Sequence, residues 1–470
     1  MSVVKRAVSW SAPTSRHSSL STVGSKSSNM ESASGSSCVT NVLTPPRPEN
    51  QSPSSTPEHH KNKTASKFAN PWKSFNPEAV ADFTAVRFLI KDWDKVETPG
   101  DVSTQLPVQT PNFDFKAETA SDIKATWLGH ACFLVELPAP RDAQGVALST
   151  RGPRILFDPV FSAHCASGAA RVMAFGKTRR HTAAPAQVKD LEGVDMVMIS
   201  HNHMDHLDEG TLQDLQKRFR DNLPHYVLPL NNEALIRNLD WGGSQPKIHS
   251  LDWWQSRVVV VQLPCASGEG AVVSMAFEVT CVPSQHQSNR SLIDRNEGLW
   301  AGFAVTSVTR LSREALLKQS ASRSPPTGID RSLFESPEQP FSCYFAGDTG
   351  YAYSTTDELG KEVCPAFKEI GERFGGFDLS LLPIGAYDPR TFTSGIHSSP
   401  LDAAMIFKDT RSRRALAMHW GTFALTNEPL LEPRDRLPEA CKQADVPPGL
   451  FTTVPLGSTT VVQCTTSPDI

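Results

Sequence analysis

The sequence predicts a single α/β domain built on two sheets with helices outside them. Short apolar runs of strand length recur along the chain, and several follow one another with no helix between, which a single parallel sheet alternating with helices does not accommodate. Amphipathic helical patterns fill other intervals, and no internal repeat is present. The balance of Lys+Arg 46 against Asp+Glu 50, a formal charge of -4, argues against a nucleic-acid partner.

Residues 1–66 are rich in Ser, Thr and Pro and almost free of large apolar side chains, so a disordered tail is expected there. The first thirty residues carry Lys5, Arg6, Arg16 and Lys26 and no acid, a composition open to a phosphorylatable tail or to a mitochondrial transit segment. Residues 67–120 form an N-terminal extension. Within it Val80, Phe83, Val86, Ile90 and Trp93 recur at helical spacing, giving an amphipathic helix that packs on the domain or a second subunit, or touches lipid. No apolar run approaches the roughly 18–20 residues that span a bilayer. The nine cysteines include no C-x-x-C pair, which points to a reduced compartment, cytoplasmic or peripheral to a membrane.

Residues 121–465 make the main domain. Strands are expected at 123–128, 132–137, 154–157, 194–199, 257–263, 275–282, 301–307, 343–346, 379–383 and 415–418. Helices are expected after Asp208, which can cap one running through Leu212, Leu215 and Phe219, and near 361–373, 400–410 and 434–444. Residues 312–340, dominated by Ser, Arg and Pro, read as a surface insertion.

The chemistry concentrates in Ser200-His201-Asn202-His203-Met204-Asp205-His206-Leu207-Asp208, an H-x-H-x-D-H run directly after an apolar strand. Three imidazoles and a carboxylate in six residues suit metal ions, zinc best, with iron or manganese as alternatives. Further lone ligands stand at later strand ends: His286, Asp348 and His419. Counting them assigns His201, His203 and His286 to one ion and Asp205, His206 and His419 to another, with Asp348 bridging. That leaves room for a bridging hydroxide, as catalytic sites require. Asp208 could orient a ligand imidazole. His130 lies near the site or is a buried structural histidine, and Arg179 and Arg180 contact lipid phosphate or form a solvated loop.

This set resembles the metallo-β-lactamase superfamily, and within it the N-acylphosphatidylethanolamine-hydrolysing phospholipase D family. The resemblance rests on Thr126-Trp127-Leu128-Gly129-His130-Ala131, the histidine run, Leu251-Asp252-Trp253-Trp254 and Pro283-Ser284-Gln285-His286. It continues in Phe345-Ala346-Gly347-Asp348-Thr349-Gly350-Tyr351, Leu382-Pro383-Ile384-Gly385-Ala386-Tyr387 and His419-Trp420-Gly421-Thr422-Phe423-Ala424-Leu425, and Phe68-Ala69-Asn70-Pro71-Trp72 is similar to that family's entry segment. It implies an αββα sandwich, two Zn2+ held by the residues counted above, a phospholipid substrate met at a membrane surface, and a homodimer. The implied reaction is hydrolysis of N-acylphosphatidylethanolamine to N-acylethanolamine and phosphatidic acid, with Asp348, Asp205 and His397 as catalytic residues. The 312–340 segment and the N-terminal tail have no counterpart in the family pattern. A lactonase or sugar-phosphate hydrolase of the same superfamily is the alternative enzyme. A flavodiiron-like oxidoreductase would need an acidic side chain where Asn202 stands, and a vestigial scaffold would lack a ligand.

Overall fold

The computed structural model describes residues 39–43, 56–79, 100, 102–114, 119–142, 144–166, 178–268, 270–291, 293–308, 312–314 and 340–464. Two mixed sheets face each other. One runs, in spatial order, through β1 (Val39–Leu43), β8 (Ser256–Pro264), β9 (Val272–Val282), β10 (Gly302–Ser307), β11 (Ser342–Phe345), β12 (Leu379–Pro383), β13 (Ala415–Met418) and β14 (Phe451–Thr452). The other runs through β15 (Thr459–Val462), β2 (Ile123–Gly129), β3 (Cys132–Glu136), β4 (Arg154–Phe157), β5 (Met196–Met198), β6 (His225–Pro229) and β7 (Lys247–Leu251).

Strand periodicity explains why both faces of the second sheet are apolar. Ile123, Ala125, Trp127, Phe133, Val135, Ile155, Phe157, Met196 and Met198 point between the sheets, where the Phe157 and Phe345 rings stack at 4.6 Å. Their alternates Leu128, Leu134, Leu156, Val197 and Ile199 face outward and meet Leu212, Leu215 and Ile236 of the helices Glu209–Arg218 and Glu233–Arg237. A strand covered on both sides reads as an unbroken apolar run. Ala403, Ile406, Phe407 and Leu437 from helices Pro400–Asp409 and Glu432–Gln443 join the other large cluster, so helices close the sandwich outside both sheets. This is the expected αββα architecture. Each large apolar side chain buried this way contributes about 1.5–3 kcal/mol.

Both sheets change from antiparallel to parallel pairing. The parallel runs are β4–β5–β6–β7 and β11–β12–β13–β14. In parallel arrays the loops at the carboxyl ends of the strands gather at one edge, where ligands bind. The ends of β4, β5, β11 and β13 carry Asp158, the histidine run, Asp348 and His419.

Several expectations need correction. β6 and β7 were not expected, because histidine, lysine and proline interrupt their apolar character. The packed chain also starts earlier than the composition change at Phe68. β1 pairs with β8, His59 is buried and bonded to Asp252, and a bridge pairs His60 with Phe68, so 39–43 and 57–66 belong to the fold rather than to a tail. The helix expected over Val80 to Trp93 and most of the 312–340 segment lie outside the described residues. Among the described residues, no helix is long and apolar enough to cross a membrane.

Candidate metal centre

The hairpin turn between β2 and β3, the loop after β5 and the ends of β9, β11 and β13 meet at one point. Backbone strain marks that point: His130 and His419 have φ of 54° and 63°, a left-handed conformation costing about 1–3 kcal/mol in a non-glycine residue. The His419 amide donates to the His130 carbonyl at 3.1 Å, tying the two sheets together there. Gly347 and Gly385 allow the close approach this needs. A Cβ on Gly347 would stand 2.6 Å from the Ser200 Cβ, and one on Gly385 would stand 2.0 Å from the His419 carbonyl oxygen.

Two ligand clusters result. His201, His203 and His286 form one, and His130, Asp205, His206 and His419 the other; within each, the ligand atoms lie within 4.8 Å of one another. The clusters adjoin, with the His201 and His206 rings 4.3 Å apart. Asp348 stands between them. Its Oδ2 is 3.1 Å from Nε2 of both His206 and His419, and 3.8 Å from Nε2 of His286. The structure therefore brings together all the residues assigned by counting, and adds His130, whose Nε2 is 3.0 Å from Asp205 Oδ2. His397 stands at the rim, its Nδ1 3.8 Å from Asp348 Oδ2.

Outward hydrogen bonds fix how the imidazoles present themselves. His286 Nδ1 donates to the Ile396 carbonyl at 2.7 Å, and His203 Nε2 donates to Asn289 Oδ1 at 3.0 Å. His206 Nδ1 donates to Asp158 Oδ2 at 2.6 Å, and His201 Nδ1 contacts Ser200 Oγ at 2.9 Å. The opposite nitrogens turn inward. Asp158, buried at the end of β4, also accepts from the Ser200 amide and hydroxyl, so one carboxylate braces a histidine of each cluster. Sequence reasoning placed this bracing role on Asp208. That side chain instead caps the helix Glu209–Arg218, accepting from the Gly210 amide, and also accepts from the Ser162 amide and the Thr211 hydroxyl. Only the strand-end sequence Phe157-Asp158-Pro159 hinted at Asp158, and Asn289 had no sequence signal at all.

The electrostatics divide the clusters. Burial drives His201 and His286 well below the ordinary imidazole range, and His203 below it, so these are neutral rings offering lone pairs. Burial opposes charge on His206 as well, but Asp348, Asp205 and Asp158 outweigh it and lift the ring well above its usual range. Burial likewise opposes charge on Asp348, yet His206 and His419 hold it well below the carboxylate range. This second cluster favours a positive charge at its centre. His206 Nε2, His419 Nε2 and Asp348 Oδ1 are buried there without a hydrogen-bond partner, a cost of about 1–3 kcal/mol each that coordination of a cation removes. The donor set of imidazole nitrogens and carboxylate oxygens fits divalent metal.

Arg180 does not reach for a ligand. It is buried, with Nη1 donating to the Val160 carbonyl, Nη2 to Leu128 and Nε to Thr182, so it fastens loops behind the centre rather than contacting lipid phosphate.

Fold and site together define a metal-dependent hydrolase, and the chain belongs to the β-lactamase superfamily, whose domain model matches residues 153–312 and 333–420. Within that class it is related to the N-acylphosphatidylethanolamine-hydrolysing phospholipases D. It is 29% identical over 381 residues to N-acyl-phosphatidylethanolamine-hydrolyzing phospholipase D 1 of Caenorhabditis elegans, covering 79% of this chain and 85% of that protein. It is 26% identical over 410 residues to the mitochondrial N-acyl-phosphatidylethanolamine-hydrolyzing phospholipase D of Saccharomyces cerevisiae, covering 79% and 70%. An uncharacterized protein of Mycobacterium tuberculosis is 32% identical over 344 residues, covering 73% of this chain and 69% of that one.

Proposed function

We propose that the chain is a zinc-dependent phosphodiesterase of the phospholipase D type, hydrolysing N-acylphosphatidylethanolamine to N-acylethanolamine and phosphatidic acid. The observation that carries the reading is the pair of adjoining ligand clusters with Asp348 between them; the names of the nematode and yeast relatives support the substrate. His201, His203 and His286 would hold one ion, Asp205, His206 and His419 the other, and Asp348 would serve both. A set dominated by imidazole suits zinc. When bound, such a pair supplies Lewis acidity and water ionised near neutral pH.

The chain's own groups then orient and donate. Water adds to phosphorus, and the bond to the ethanolamine oxygen breaks as that oxygen takes up a proton. Burial holds the His397 pKa down to about 3, so its ring is neutral and serves as a hydrogen-bond donor to a phosphoryl oxygen or to the departing oxygen. Its Nδ1 is buried without a protein hydrogen-bond partner, 3.8 Å from Asp348 Oδ2. His130 pairs with Asp205 and keeps that carboxylate turned toward His206 and His419. A small cleft beside the second cluster is lined by His419, Phe423, Leu425, Thr426 and Glu428.

The substrate is met at a membrane surface, the chain pairs as a homodimer, and a mitochondrial address accords with both the yeast relative's name and the basic, acid-free first thirty residues. The test is an assay of the purified chain on vesicles containing N-acylated or plain phosphatidylethanolamine, with chelator and with zinc restored. Release of N-acylethanolamine that chelator stops and zinc restores is expected. A zinc-loaded chain that releases none, yet opens lactones, overturns the reading in favour of a lactonase.

A further inference from the structure

A second group of ligand-type side chains lies away from the catalytic clusters, where the segment ahead of β2 crosses the domain. His59 Nε2 is 2.7 Å from Asp252 Oδ1, and His60 Nε2 is 2.9 Å from Asp252 Oδ2. The side chains are about nine-tenths buried, at 10%, 9% and 12% exposure, and the three ligand atoms lie within 4.8 Å of one another. Among the described residues, the ion pairs of Asp252 are with these two histidines and with no lysine or arginine. The imidazoles meet edge to face with centroids 4.4 Å apart at 75°, close to the 4.5 Å and 81° of His201 and His203.

The decisive detail is the direction of His60. Its Nε2 is buried and 2.9 Å from Asp252 Oδ2 but outside hydrogen-bond geometry, whereas His59 Nε2 is hydrogen-bonded to Asp252 Oδ1 at 2.7 Å. His206 and His419 stand in the same relation to Asp348, each Nε2 3.1 Å from its Oδ2. Ligands converging on a shared cation have this geometry: their lone pairs point at the ion rather than at each other.

We propose that His59, His60 and Asp252 hold a further divalent cation of the zinc class, with water completing its coordination. This ion is a staple. Downstream of it on the same segment, the Asn70 side chain donates to the His286 carbonyl at 2.7 Å and accepts from the His286 amide at 3.2 Å. Ser74 bonds the Gln285 side chain in both directions. The segment that the ion pins to Asp252 therefore grips the backbone of a catalytic-cluster ligand, and losing the ion loosens His286 without removing any group from the catalytic centre.

The competing account is a plain hydrogen-bonded clip, each neutral imidazole giving one N–H to Asp252, with no ion. Elemental analysis of the wild-type full-length chain beside His60→Gln and Asp252→Asn separates the two. We expect each folded variant to carry one equivalent less metal than wild type, and its residues 56–79 to be cut faster by protease. Equal metal content in wild type and folded variants overturns the proposal. Should neither variant fold, anomalous diffraction at the zinc edge from wild-type crystals decides: a peak bounded by the two Nε2 atoms and the Asp252 carboxylate is expected, and a map without one refutes the staple.

Discussion

Replacing Asp158 by asparagine should loosen one ion of the catalytic pair without touching a ligand. The carboxylate accepts from the Ser200 amide at 2.7 Å, the Ser200 hydroxyl at 2.6 Å and His206 Nδ1 at 2.6 Å. An amide has one oxygen for these donors. If that oxygen serves His206 and the hydroxyl, the new NH2 faces the Ser200 N–H, and the buried mismatch costs about 1–3 kcal/mol of stability. The negative charge that holds the His206 ring also goes. Losing an outer partner of a ligating histidine weakens metal affinity about 10–100-fold, equivalent to about 1.4–2.8 kcal/mol. Competition against a chromophoric chelator reads this directly. The weaker affinity should appear mainly at the ion of His206, with the ion of His203 and His286 held more nearly as before, and excess zinc should restore most of the turnover. Wild-type affinity for both ions would refute the role given to Asp158.

Other outcomes follow from the same geometry. His203→Ala and Asp348→Asn should abolish hydrolysis of N-acylated phosphatidylethanolamine while circular dichroism shows the fold retained; undiminished turnover in both would refute a metal mechanism. His397→Gln should lower kcat about 10²–10³-fold, the usual cost of removing one donor to developing negative charge, with metal content unchanged. Gly385→Ala should lower both melting temperature and zinc retention, since its Cβ would meet the His419 carbonyl oxygen at 2.0 Å. Removing metal with chelator should lower the melting temperature, because an ion at about 1,000 times its Kd stabilises the folded chain by about 4 kcal/mol.

Much of the site was legible because its ligands sit at strand ends, where an apolar run followed by a single histidine or aspartate is visible without knowing the fold. His201, His286, Asp348 and His419 are of this kind. What escaped depends on closeness between distant segments. Asp158 looks like any aspartate after a strand until the parallel pairing of β4 with β5 sets it against Ser200 and His206. Asn70 gains its meaning only because its segment lies against His286. Arg180 suggested a phosphate contact, but three backbone carbonyls surround its guanidinium. In the fold, the both-sides-buried strands β4 and β5 stood out as apolar runs. β6 and β7 did not, since His225, His249 and Lys247 place ring nitrogens and charge where an unbroken apolar pattern would have marked a strand.

The account rests on two neighbouring ions, each held by its own cluster of side chains. Metal content per chain, measured side by side for wild type, His286→Ala and His419→Ala, tests that most directly. Each substitution removes a ligand from a different cluster and should cost the chain one equivalent. Wild-type metal content in both variants would contradict it.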